Sequence, residues 1–342
     1  MDSVPMNGYN YFMRTVIMKA WAKINLTLDV IGRRSDGYHD LASVMQSISL
    51  HDTLSINKTD HLGIEIKTDC PDLATDESNL IYKAAKSILV AYDVQCGISI
   101  ELQKKIPIAA GLGGGSSNCA ATLHGINTLL NLGISQKELL ETGQKLGADV
   151  PFCLMSSAKH FGGGTALAEG IGENLTPLPS HPDVWIVLAH LPILVSTPEI
   201  FSRWSQLNRN IKTGYKHQTK LKNPQTFRLN LPQSKKNIKE SVKVNQLQKK
   251  SPGMVKAFAS GSINEIANNL GNDLTTVATA MHPEIIDLIT ELHTQNPLGV
   301  NMTGSGPAVF AYFPTESAAT KAKEHIQQKF SHCNVFCTKP KI

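Results

Sequence analysis

The 342 residues are too many for one small domain and few for three, so one or two domains are expected. Hydrophobic residues make up 41%, and no apolar run reaches about 18 residues, which excludes a membrane-spanning helix. Of the 33 basic and 28 acidic residues, 13 and one fall within 203–250, leaving 20 and 27 elsewhere, so an acidic body carries one strongly basic segment.

Residues 1–17 lack a basic start and an apolar stretch ending in small residues, and read as a loose leader rather than a signal peptide. "KINLTLDV" alternates strictly. Ile24, Leu26, Leu28 and Val30 take one strand face, and Lys23, Asn25, Thr27 and Asp29 the other. "TLSI", "GIEI" and "GISIEL" repeat the period of two. "SNLIYKAAKSILVAY" has helical spacing, with Leu80, Ile81, Ala84, Ala85 and Ile88 on one stripe. A helix is expected from about Ser117 to Leu130. "SQKELLETGQKLG" opens with a capping box, Ser135 with Glu138, and stops at Gly147. A second unit begins near "VWIVLAH". It has helices around 254–270 and 283–294, a strand at "PAVFAYF", a helix from Glu316 and a last strand near 334–337. The alternation suggests an α+β sandwich. The segment 203–250 is rich in Asn, Gln, Lys and Ser, and reads as a flexible surface insert.

Six cysteines, at 70, 96, 119, 153, 333 and 337, form no C-x-x-C pair, and His332 beside the last two lacks a second ligand pair for zinc. Scattered thiols fit a reducing, cytoplasmic setting. The densest signal is "PIAAGLGGGSSNCAAT", Pro107 to Thr122. Glycines just before a helix let a phosphate approach unpaired N–H groups and the positive end of the helix dipole. The Walker pattern needs a lysine that is absent, and the dinucleotide fingerprint needs glycine where Ser116 stands.

"PIAAGLGGGSSNCAA" resembles the central motif of the GHMP kinases, and "MTGSGPAVFAYF" resembles that family's third motif. "AKINLTLDVIGRRSDGYHDLASVMQSISLHD", "KLGADVPFCL", "AEGIGENLTPL" and "VSTPEIF" narrow the resemblance to the branch acting on a cytidine-diphosphate methylerythritol. It covers roughly 18–202 and 254–340. It implies a two-domain α+β fold: an N-terminal domain like domain 2 of ribosomal protein S5 (18–180) and a C-terminal ferredoxin-like domain (184–340). The implied reaction is ATP-dependent phosphorylation of the 2-hydroxyl of CDP-methylerythritol in the non-mevalonate isoprenoid pathway. A homoserine- or mevalonate-type kinase is the alternative.

The resemblance makes Asp149 the catalytic base and gives Lys23 the task of holding Asp149 and the acceptor hydroxyl, with Asn25 on the acceptor. Taken alone, Asp149 reads rather as a helix cap and Lys23 as a solvated strand-end charge. Tyr38 and His39 are implied to read the cytidine, Phe201 to supply a second aromatic slab, and Thr197 and Pro198 to line the same cleft. The loop containing Gly304 and Ser305 is implied to close over the substrate diphosphate. Asn79 and Lys104 are implied near the adenine or ribose, with Pro107, Gly111, Leu112, Gly113, Gly114, Gly115, Ser116 and Ser117 around the phosphates. Asn79 also reads as a helix start, Lys104 as a solvated strand end, and Phe201 as an ordinary core residue. Mg²⁺ is expected with ATP, with Ser117 a possible ligand and its other protein ligands open. Ala109 and Ala110 stand where the family often has glycine. The expected partner is the small-molecule substrate, with no membrane and no nucleic acid despite Trp204, Tyr215 and Phe227 among the basic residues. Monomer and homodimer are both open.

Overall fold

The computed structural model describes residues 15–157, 164–208 and 249–341. Residues 1–14 of the leader and most of the basic segment, with Tyr215 and Phe227, lie outside the described residues, while Thr15 to Ile17 open the first strand.

The alternating stretch runs through β1 (Thr15–Asn25) into β2 (Thr27–Arg33). The 21-residue β3 (His39–Thr59) organises the first sheet. It pairs antiparallel with β1 and β2 along one edge. Parallel strands β4 (Ile64–Thr68) and β5 (Gly97–Gln103) follow, with β5 antiparallel to β3. Between them, α1 (Leu80–Ala91) buries Ile81, Ala84, Ala85 and Ile88, as its spacing predicts.

Helix α2 (Gly114–Leu130) starts three residues earlier than expected and is buried along most of its length. Its small residues let it lie close against the sheet. A Cβ on Gly125 would sit 2.3 Å from Ile56 Cδ1. Helix α3 (Gln136–Leu146) has the expected Ser135–Glu138 capping box and Gly147 at its end. Next come α4 (Val150–Ser157), β6 (Thr165–Gly170) and β7 (Asn174–Pro177); β6 pairs with both β3 and β7.

The second unit begins at β8 (Trp185–His190) and α5 (Thr197–Leu207). The helix expected over 254–270 is two helices, α6 (Ser251–Ser260) and α7 (Ile263–Asn268). Gly261, at φ +70°, ends the first, and Ser262 caps the second through Glu265 N. The short β9 (Gly271–Asn272) runs parallel to β2 and joins the units. Then follow α8 (Thr275–Met281), α9 (Glu284–Thr294), β10 (Gly299–Met302), β11 (Val309–Phe313), α10 (Glu316–Lys329) and β12 (Asn334–Thr338). The second sheet is antiparallel in the order β10-β11-β8-β12, a ferredoxin-like plan.

The two sheets share a core. Ile24, Leu26 and Val44 pack with Ile186, Leu188, Phe310 and Tyr312. This contact changes the reading of the "KINLTLDV" strand. Its polar face is not solvated: Lys23, Asn25, Thr27 and Asp29 are all buried. The second unit satisfies its Thr27 and Asp29 side chains. Asp29 accepts from Ser251 N at 2.8 Å and Lys250 N at 3.1 Å, and Thr27 Oγ1 lies 2.8 Å from Ser251 Oγ. Buried polar groups are tolerated where each finds such a partner.

Candidate active site

Pro107, Gly111, Leu112, Gly113, Gly114, Gly115 and Ser116 line a cleft of about 430 Å³ together with Asn79 and Lys104. The first N–H groups of α2 open toward this loop. Two of its glycines are fixed by protein contacts. Gly111, at φ +72°, brings its backbone so near that a Cβ would lie 2.7 Å from Thr303 O. Gly113, at φ +67°, would place a Cβ 2.8 Å from Lys23 Cγ. Ala109 holds φ +55°, a left-handed conformation that glycine adopts more cheaply. Ser117 is buried and is not among the residues that line this cleft.

Lys104 is not a solvated strand end. Its ammonium lies 2.9 Å from Asp52 Oδ2 and also donates to Ile106 O. Asp52 is fully buried. Its other oxygen accepts from Lys105 N at 2.7 Å and Ile106 N at 2.8 Å, while Asn118 Nδ2 donates to Oδ2 at 2.9 Å. The aspartate thus ties the end of β5 to the first turn of α2. Sequence reading passed over Asp52, and the alternation of β3 around it was its only signal. Asn79 is the N-cap of α1, accepting from Ile81 N at 2.8 Å, while its amide donates to Ala74 O at 2.6 Å. It lines the cleft and starts the helix at once.

Lys23, Asn25 and Asp149 come together. Lys23 Nζ lies 3.3 Å from Asp149 Oδ2 and donates to Asn25 Oδ1 at 2.8 Å. Lys23 is 4% exposed, whereas the Asp149 side chain is 35% exposed. Asn25 Nδ2 donates to Ser43 Oγ at 2.8 Å, and its backbone N–H donates to Thr303 Oγ1 at 2.9 Å. Lys23 N donates to Leu112 O at 2.9 Å. The pair therefore hangs directly on the glycine loop. Asp149 immediately precedes α4, where its carbonyl accepts from Cys153 N at 3.2 Å. Cys153 and Cys119 pack behind it. Burial pushes the Cys119 thiol up to about 12 and raises Cys153 further, so neither supplies a thiolate.

On the acceptor side, His39 stacks on Phe201 with centroids 5.0 Å apart and meets Trp204 edge-on at 6.0 Å. His39 Nε2 also bonds Ser205 Oγ. Trp204 thus belongs to α5 and this cluster, not to the basic insert. Tyr38 is 62% exposed, leaving its ring free to stack. Thr197 Oγ1 lies 2.7 Å from Ser305 Oγ, and Gly304, at φ +58°, packs against Gly111. Asn272 Nδ2 holds this loop through Met302 O at 2.9 Å and Gly304 O at 2.8 Å.

Comparison with known proteins points the same way. Residues 79–157 match the GHMP kinases N terminal domain, and 254–332 match GHMP kinases C terminal. The 4-diphosphocytidyl-2-C-methyl-D-erythritol kinase of Caldicellulosiruptor saccharolyticus is 38% identical over 314 residues, 91% of this chain and 93% of that protein. A crystal structure of 4-(cytidine 5'-diphospho)-2C-methyl-D-erythritol kinase superposes with TM-score 0.70 at 28% identity, covering 96% of this chain and all of that one. A homoserine kinase from Cytophaga hutchinsonii reaches TM-score 0.65 at 18% identity over the whole of this chain and 98% of that one, which speaks for the fold alone.

Proposed function

The chain belongs to the GHMP kinase family, and from that premise we propose that it transfers the γ-phosphoryl group of ATP to the 2-hydroxyl of 4-diphosphocytidyl-2-C-methyl-D-erythritol. The observation that carries this reading is the Lys23–Asp149 contact at 3.3 Å beside the glycine loop. Phosphoryl transfer to an alcohol needs an oriented hydroxyl, a proton acceptor and positive charge near the group in flight. Asp149 takes the hydroxyl proton. The alcohol oxygen forms a bond to the γ-phosphorus, the bond to the β-phosphate oxygen breaks, and ADP departs with its electron pair. Lys23 stabilises negative charge developing on the acceptor oxygen. Asn25 holds Lys23 in place and orients the acceptor.

The α2 N-terminus and the loop 111–116 receive the ATP phosphates, with Asn79 and Lys104 toward the nucleoside. Lys104, paired with Asp52, shapes the wall. Tyr38 stacks on the cytosine, and His39 reads its edge while resting on Phe201. Thr197, Gly304 and Ser305 face the substrate diphosphate. On this reading, 18–180 is the nucleotide-binding unit and 184–340 its partner. Among the described residues, no group of three His, Cys, Asp or Glu side chains converges to hold a metal. Mg²⁺ accompanying ATP would take most of its oxygens from the phosphates and water, and no step is assigned to it. Also among the described residues, no helix is long and apolar enough to cross a membrane. Purified protein given ATP and Mg²⁺ is expected to release ADP with the cytidine acceptor and not with homoserine or mevalonate. Turnover on either of the others alone would replace the acceptor assignment.

A further inference from the structure

We propose that Lys341 is a positioning residue for the Lys23–Asp149 pair, acting from the segment 338–341 that fills a gap in the first sheet. The proposal rests on the kinase reading for what that pair does. One edge of β3 is lined by β6 opposite 41–46 and by β5 opposite 53–59. The chain just past β12 enters the interval between them. Pro340 pairs with Ile48 in an antiparallel bridge. Ser49 N donates to Lys339 O at 2.8 Å, and Lys341 N donates to Ser47 O at 2.8 Å. Thr338 Oγ1 accepts from Leu50 N at 3.1 Å. Ser47 is buried, so its carbonyl needs the partner that Lys341 N supplies.

Ser47 stands opposite Lys23 across the other edge of β3. Beyond it, Lys23 N reaches Leu112 O. One row therefore runs from Lys341 through Ser47 and Lys23 to the glycine loop. A second link comes from the Lys341 side chain. Its ammonium donates to Ser156 O near the C-terminal end of α4, where a cation is favoured, and lies 5.3 Å from the Trp21 ring centre. Helix α4 begins one residue after Asp149. Lys341 thus grips β3 opposite Lys23 with its backbone and the helix of Asp149 with its side chain. Lys339, two residues away, binds Asp183 at 2.9 Å and covers Trp185 instead.

In Lys341→Met, kcat is expected to fall about tenfold with the KM values for both substrates unchanged. Lys341→Arg should recover most of the loss, and Lys339→Met should match the wild type. Without any substrate, amide hydrogens of Lys23 and Cys153 should exchange about tenfold faster in Lys341→Met than in the wild type. Unchanged exchange overturns the proposal whichever acceptor the enzyme uses. Faster exchange with wild-type kcat, or an equal loss in Lys339→Met, overturns it too. If Lys341→Met does not fold, Lys341→Gln takes its place under the same criteria. A wild type that ignores the cytidine acceptor would remove the functional reading and leave the exchange result standing.

Discussion

Asp149 does its work through its neighbours. Its carboxylate is partly exposed, and the ammonium 3.3 Å away is buried and held by Asn25. Replacing the carboxylate by an amide removes the proton acceptor and leaves the nucleotide cleft untouched, since Asp149 does not line it. Asp149→Asn is expected to bind ATP as the wild type does and to lose about 100- to 10,000-fold in kcat. Titration with a fluorescent ATP analogue and steady-state turnover check the two halves separately, and near-normal turnover would remove Asp149 from the mechanism. Individual residues were legible where their role is local: the Ser135–Glu138 box and Asn79 as a helix start are in the sequence because a cap needs only its own helix. Asp52 was not legible. Its partners sit 52 to 66 residues away, and the alternation around it does not tell a buried carboxylate from an exposed one.

Among the elements, the glycine loop shows what a motif can and cannot tell. Its density announced a close backbone approach. Only the fold reveals that Gly111 and Gly113 make room for Thr303 and Lys23. Helix α5 is the other instructive element. Charge counting set Trp204 inside a basic insert, whereas α5 continues to Leu207 and carries Trp204 onto His39. Composition averages over a window, but a helix face is set residue by residue. Trp204 supports the ring of His39, so Trp204→Ala is expected to raise KM for the cytidine acceptor about tenfold and leave KM for ATP within about twofold. Equal effects on both constants would separate α5 from the acceptor site.

For the molecule as a whole, the two units are joined through a shared core, and that junction was invisible in the alternation of "KINLTLDV". A period of two tells which residues share a face, not whether a second domain covers that face. The junction also sets an acid limit. His181 is buried against Phe258 and Tyr312, with Nδ1–H donating to Pro182 O and Nε2 accepting from the Tyr312 hydroxyl at 3.0 Å. Burial lowers its pKa from 6.5 to about 4. The unfolded chain takes up the proton more readily, so the neutral ring's contribution is complete above pH 6.5. It is lost progressively as pH falls from 6.5 toward 4, by about 3 kcal/mol in all. The denaturation midpoint of the wild type should therefore approach that of His181→Gln on going from pH 7.5 to 4.5, and a gap independent of pH would contradict this.

The central claim is that one phosphoryl group moves to the alcohol of a cytidine-diphosphate acceptor. Phosphorus NMR of the purified protein mixed with ATP, Mg²⁺ and 4-diphosphocytidyl-2-C-methyl-D-erythritol tests it most directly. The account predicts one new phosphomonoester signal growing in step with ADP while the acceptor's diphosphate signals persist. ADP accompanied only by inorganic phosphate, or no change at all, would contradict it.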